Sequence, residues 1–152
     1  MNPNNETTDN DAILGVKSYK AFTSAIKSNE ETGNPLGADP PLSRPGVHEE
    51  VLTSNHVWHL PAEANGLLVG RDGEGMAIPY FDPLTGQPIM DEHDPDKPFC
   101  RVRFDDPGFG GKYHQAKGTP VHIYSPRTNR ENYDNSDTLV LVEGEMKALC
   151  LM

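Results

Sequence analysis

A chain of 152 residues allows one ordinary domain, and with only 35% hydrophobic residues, 14 Pro and 14 Gly, part of it must be loop or tail rather than core. The net charge of −10 argues against indiscriminate attraction to nucleic acid. The absence of any apolar run of membrane-spanning length, or of a charged opening followed by an apolar core, makes a soluble cytoplasmic protein with no membrane partner the expectation.

The charge is unevenly spread. Residues 100–130 carry six basic against two acidic side chains, whereas every other stretch is acidic. Two cysteines, Cys100 and Cys150, are too few for a zinc ribbon and do not suggest a secreted disulfide scaffold; both are expected to be buried thiols.

In chain order, Met1 to Asn10 is Asn, Thr and acid without periodicity, which predicts disorder. Tyr19, Phe22 and Ile26 recur at helical spacing and predict a short amphipathic helix over 18–28 whose stripe packs rather than reacts. Residues 29–44, with Asn34-Pro35-Leu36-Gly37 and Asp39-Pro40-Pro41, read as a linker. Glu49 and Glu50 sit in the first turn of a short helix that stops near Ser54-Asn55. His56 and His59 flank Val57-Trp58, but a metal would need further ligands that are not nearby, so packing is the better reading.

Met76 to Phe81 predicts a strand in which Pro79 implies an edge or a bulge, and Asp82-Pro83-Leu84-Thr85-Gly86 predicts the turn that closes it. The acidic stretch Asp91 to Asp96 lacks the Gly and terminal Glu of a calcium loop and reads as a solvated insertion. Cys100 to Phe104 alternates, placing Arg101 and Arg103 on one face and Val102 and Phe104 on the other. Val121 to Tyr124 predicts a further short strand, after which a polar run over 127–136 leads to the last element. Thr138 to Val142 is a continuous branched apolar run, the pattern of a strand buried on both faces in a parallel sheet, and Glu145 to Met152 is made of good helix formers. Glu143, between them, would lie at the carboxyl end of that strand, ionised and aimed at a crevice. The closing helix has no Gly cap or polar closure and the strand has no neighbours in the sequence, so the chain reads as cut short.

The strand, the Glu143-Gly144 turn and the helix after it resemble the first motif of the Toprim domain, the metal-binding catalytic domain of primases, topoisomerases and some nucleases. Gly46-Val47, Ile78-Pro79 with Asp82 and Gly86, Arg101 and Arg103, Lys112-Tyr113, Tyr124 and Glu143-Gly144 follow the order of the bacterial replicative primase core. They resemble most closely domain of unknown function 3854, which precedes or overlaps Toprim in primase-like replication proteins of phages, plasmids and other mobile elements. The resemblance implies an α+β fold divided into a tail, short helix and linker over 1–41, a β-rich primase-type subdomain over 42–136 and the start of a Toprim-like domain over 137–152. It implies Glu143 as acid/base or magnesium ligand, with Arg101, Arg103, Lys112 and Lys147 facing single-stranded DNA or a nucleoside triphosphate, and association with a helicase domain or subunit. Two departures limit it. Nothing in residues 1–40 supplies a zinc ribbon, and the Asp-x-Asp motif that completes a Toprim site is missing, so this chain alone is expected to retain no magnesium and to be inactive. The alternatives are a non-catalytic nucleic-acid-binding or assembly module, or a piece of another doubly wound enzyme; for each arginine singly, a surface pair with Asp105, Asp106 or the acidic stretch competes with a nucleic-acid role.

Overall fold

The computed structural model describes residues 5–28, 46–127, 138 and 140–152, with side chains from Ile13 onward. The linker expected over 29–44 and the polar run after Arg127 lie outside them, apart from Arg127 itself. The architecture is α+β. Helix α1 (Asn5–Ser28), α2 (Glu49–Ser54), α3 (Ala62–Val69) and α4 (Glu145–Leu149) surround strands β1 (Trp58–Leu60), β2 (Gly75–Pro79), β5 (Cys100–Phe104) and β6 (Tyr113–Gln115), while β3 (Met90–Asp91) and β4 (Asp94–Pro98) form a separate hairpin. The main sheet has the order β1-β2-β5-β6, antiparallel throughout.

Alternation along the two central strands divides the interior. Ala77, Val102 and Phe104 face α1 and α3, where Phe22, Ala25, Ile26, Ala64, Leu68 and Val69 complete one core, and Phe22 meets Trp58 edge-on at 5.1 Å. Met76 and Ile78 face the other way, against Val47, Leu52, Val57 and Leu149, which brings α2 and α4 onto the second face. The stripe of Tyr19, Phe22 and Ile26 thus packs as its spacing predicts, and α1 belongs to the same core as the β-rich unit rather than to a detached tail. The helix is also longer than expected. It begins at Asn5, correcting the expectation of disorder through Asn10, and the acids that made this stretch look unstructured are the residue types that suit the positive end of a helix.

Strand β1 and helix α3 were not anticipated. Asn65 and Gly66 depress helix propensity in the middle of α3. Tertiary contacts override it: the buried Asn65 side chain donates to Leu60 O at 3.1 Å and Gly73 O at 2.8 Å, tying α3 to both ends of the β1–β2 connection.

Pro79 lies in a central strand, not at an edge or a bulge, yet it breaks no ladder. Tyr80 N–H donates to Phe99 O, so the nitrogen of Pro79 points to the opposite side, beyond the reach of β1, which starts at Trp58 opposite Ala77. The expected turn is present: Asp82 Oδ1 accepts from Leu84 N at 2.9 Å and Thr85 N at 2.7 Å, and Gly86 takes φ 67°. The acidic stretch 91–96 forms the β3–β4 hairpin; residues 92–96 are solvated as expected, and only its first carboxylate, Asp91, is buried, 8% exposed beside Lys97.

Among the described residues, two predicted strands are not formed; Leu139 of the second lies outside them. Residues 121–124 join no strand: Pro120 and Pro126, which lack an N–H, bracket the segment, and His122 and Tyr124 turn inward against Phe99 and Tyr80. Val121 and Ile123 are left exposed. Val140, Leu141 and Val142 are likewise exposed, Leu141 by 83%, because no described strand lies alongside to cover an apolar run on either face. The thiols also divide. Cys100 is buried on β5, whereas Cys150, just past the inward-facing Glu145 and Leu149 of α4, is exposed.

Candidate functional site at the Gly144 turn

Antiparallel pairing sets Arg101 opposite Ile78 on one side and Gln115 on the other, on the sheet face that receives α4. An arginine there needs a partner, since apolar residues fill most of that face. The partner is Glu145, the first residue of α4, which shares an i, i+4 face with the buried Leu149 and is itself 3% exposed. Its Oε1 accepts from Arg101 Nη1 at 2.7 Å and from the Tyr80 hydroxyl at 2.5 Å. Burial, and then Glu145, hold the Tyr80 hydroxyl well above its ordinary value of 10. Burial works against the Arg101 charge, but Glu145 and Tyr80 outweigh it and raise the guanidinium above its usual range. The guanidinium also lies over the Tyr113 ring, 5.2 Å from its centroid. The Tyr124 hydroxyl, raised chiefly by burial, backs the cluster through the ring of Tyr80.

In front of this cluster, Arg101 and Tyr113 from the sheet and Glu143 to Lys147 from the turn line a recess of about 300 Å³. Glu143 stands at its mouth, its side chain 80% exposed, in an ion pair with Lys147 one helical turn on. The hydrogen bond and charge of Lys147 hold its carboxyl below the ordinary carboxylate value. Glu143 is therefore ionised and at a recess, but not at the end of a paired strand.

The structure brings Arg101, Glu143 and Lys147 together and leaves the other two cations apart. Arg103 is 8% exposed, so it does not share an open face with Arg101. Lys112 is exposed ahead of β6, where its carbonyl accepts from Phe104 N at 2.9 Å, and does not line the recess. Arg101 is paired, but with Glu145 rather than with Asp105, whose carboxylate meets His59 at 2.6 Å. His56 packs: it is 2% exposed, bonded through Nε2 to Arg127, and burial with the Arg127 charge lowers it to about 4.

The described residues do not by themselves complete a magnesium site. Glu143 is neutralised by Lys147 and Glu145 by Arg101, and no group of three His, Cys, Asp or Glu side chains gathers among the described residues. No described helix is long and apolar enough to cross a membrane.

Glu145 and Tyr80 are the residues sequence reasoning missed as site residues. The signal for Glu145 was its i, i+4 relation to Leu149, which turns it inward. Comparisons with family models, with curated proteins and with solved structures find no match to this chain.

Proposed function

We propose that this chain is the N-terminal part of a primase-like, Toprim-associated DNA replication protein of a mobile element, contributing contacts to single-stranded DNA or to a nucleoside triphosphate. One observation carries the reading. Arg101, in the β-rich unit, and Glu143 and Lys147, more than forty positions later, converge on a single recess although nothing local forces them together. The Arg101–Glu145 pair couples the sheet to the turn, so a ligand phosphate approaching Lys147 meets a pre-positioned loop. In the whole protein, Glu143 would join carboxylates from elsewhere in holding magnesium for phosphoryl transfer, alone or beside a helicase; the chain's own part is binding and positioning.

A second reading, a binding or assembly module without chemistry, draws on a specific observation: both carboxylates of the recess already have cationic partners.

Anisotropy titrations of labelled single-stranded DNA at several salt concentrations test the proposal. Wild type should bind weakly, since the acidic remainder opposes approach. Lys112→Ala and Lys147→Ala should each flatten the slope of log affinity against log salt by roughly 0.7, and the buried Arg103→Ala should not. A wild type that does not bind at low salt, or identical slopes in all four proteins, rejects it. Metal-dependent nucleotidyl transfer, restored by adding the remainder of the protein and lost in Glu143→Gln, separates the catalytic from the non-catalytic reading.

A further inference from the structure

Between β5 and β6 the chain runs Asp105-Asp106-Pro107-Gly108-Phe109-Gly110-Gly111-Lys112, with a single 3₁₀ turn over Gly108–Gly110. Phe109 at its tip is completely exposed, the most exposed large apolar side chain described. An apolar ring held fully in water gains nothing for the fold.

The loop that lifts it is nevertheless built. Arg71, from the α3–β2 connection, donates to Pro107 O at 2.7 Å and to Gly111 O at 3.2 Å, clasping both ends of the turn, and meets His114 Nε2 at 2.7 Å. Its guanidinium is anchored over the Phe104 ring at 4.4 Å. The glycines are needed for this arrangement: Gly111 takes φ 82°, and a Cβ at Gly110 would come within 2.6 Å of Arg71 Nη1. With Gly on either side of it, Phe109 has no neighbouring side chain over its faces. Lys112, exposed, comes next where the loop enters β6.

The geometry points to Phe109 as a stacking platform for an unpaired base of single-stranded nucleic acid, with Lys112 meeting an adjacent phosphate. A flat partner suits a ring whose faces are both open, and stacking tolerates any base because every base presents a π-face. The clasp by Arg71 means little loop entropy is lost on binding. Two carboxylates on the same loop oppose the backbone, but each has a local partner: Asp105 meets His59 at 2.6 Å, and Asp106 Oδ1 accepts from Gly108 N at 3.1 Å. Stacking rather than charge should therefore carry this contact. The inference rests on the proposed single-stranded DNA reading, but on residues outside the Gly144 recess.

The test compares wild type, Phe109→Ala and Phe109→Trp against labelled single-stranded DNA across salt concentrations. Because Phe109 touches no core, both variants should match wild type in thermal unfolding. Phe109→Ala should bind about 5- to 100-fold more weakly with an unchanged salt slope, the mark of lost stacking rather than lost charge. The indole of Phe109→Trp should be quenched on binding, against the constant emission of the buried Trp58. Wild-type binding with no loss in Phe109→Ala and no quenching in Phe109→Trp overturns the stacking site and leaves the Gly144 recess as the DNA contact. A flat wild-type titration overturns both.

Discussion

The Arg101–Glu145–Tyr80 cluster offers the sharpest test of how α4 is held. Arg101→Ala leaves Glu145, 3% exposed, with only the Tyr80 hydroxyl. Removing one partner of a fully buried ion pair costs about 3–5 kcal/mol. The Arg101 side chain is 33% exposed, so water reaches the carboxylate once the guanidinium is gone, and about 2 kcal/mol is the better expectation. Glu145→Gln keeps an acceptor for Tyr80 and leaves a cation that water can solvate, so it should cost less, on the order of 1 kcal/mol. Replacing the cluster by Tyr80→Phe, Arg101→Met and Glu145→Leu together should restore stability to near wild type, because no charge or hydroxyl is then left unpaired. Where the cost appears also matters. Helix α4 has five residues and is anchored by Glu145 and Leu149, so a destabilised cluster should release α4 locally before the sheet unfolds. Trp58, the single tryptophan, lies in the core on the opposite sheet face and reports global unfolding in urea, whereas exchange of the Ala148 and Cys150 amides, bonded to Gly144 O and Met146 O, reports release of α4. An Arg101→Ala protein within 0.5 kcal/mol of wild type, with unchanged exchange at those two amides, would refute the reasoning.

His56 is lowered from its ordinary value of 6.5 to about 4, so between those values the unfolded chain binds a proton that the folded chain does not; stability should fall as pH drops from about 6.5 to 4, on the order of 3 kcal/mol from this group, and urea titrations of His56→Asn, which tolerates the φ of 53°, should show a shallower fall. A thiol reagent should label one cysteine of the native protein quickly, Cys150, and reach Cys100, buried and raised to about 12, only on unfolding; two fast thiols, or none, would contradict the burial described. Leu141→Ser should change the unfolding free energy by less than about 0.5 kcal/mol, as suits a side chain 83% exposed, and a loss of 2 kcal/mol or more would show the run to be a buried strand after all.

Period-2 alternation was legible where both neighbouring strands are present. Gly75–Pro79 and Cys100–Phe104 pair over five positions, and the direction in which each residue points can be found by counting. The Asp82 turn was legible because its chemistry is local: one carboxylate accepts from the two backbone amides just beyond it in the chain. Helix α3 was not, because the compensation for its Asn65 and Gly66 comes from carbonyls at Leu60 and Gly73, which no local window contains. Of the site, Glu143 and Arg101 could be named from sequence, but the pairing of Arg101 with Glu145 required knowing that α4 packs on the Met76–Ile78 face.

The two apolar segments that failed to become strands share a physical cause. An alternating or continuous apolar pattern states which side chains need cover, and says nothing about what supplies it. Over 121–124 His122 and Tyr124 turn in, because Phe99 and Tyr80 already stand there with aromatic edges and faces to meet, and Val121 and Ile123 are left exposed. The aromatic contacts decide which side chains turn in, and with a period of two the branched residues between them face out. At 140–142 no described surface competes for either face, so the run stays uncovered while Glu145 and Leu149, a few residues on, are drawn in by an ion pair and a core. The Gly144 turn therefore owes its place to helix α4 rather than to the strand expected before it. A recess positioned from the helix side can keep Glu143 and Lys147 in front of Arg101 whether or not Val140 to Val142 find partners, which separates the binding geometry of the turn from the completion of any sheet behind it.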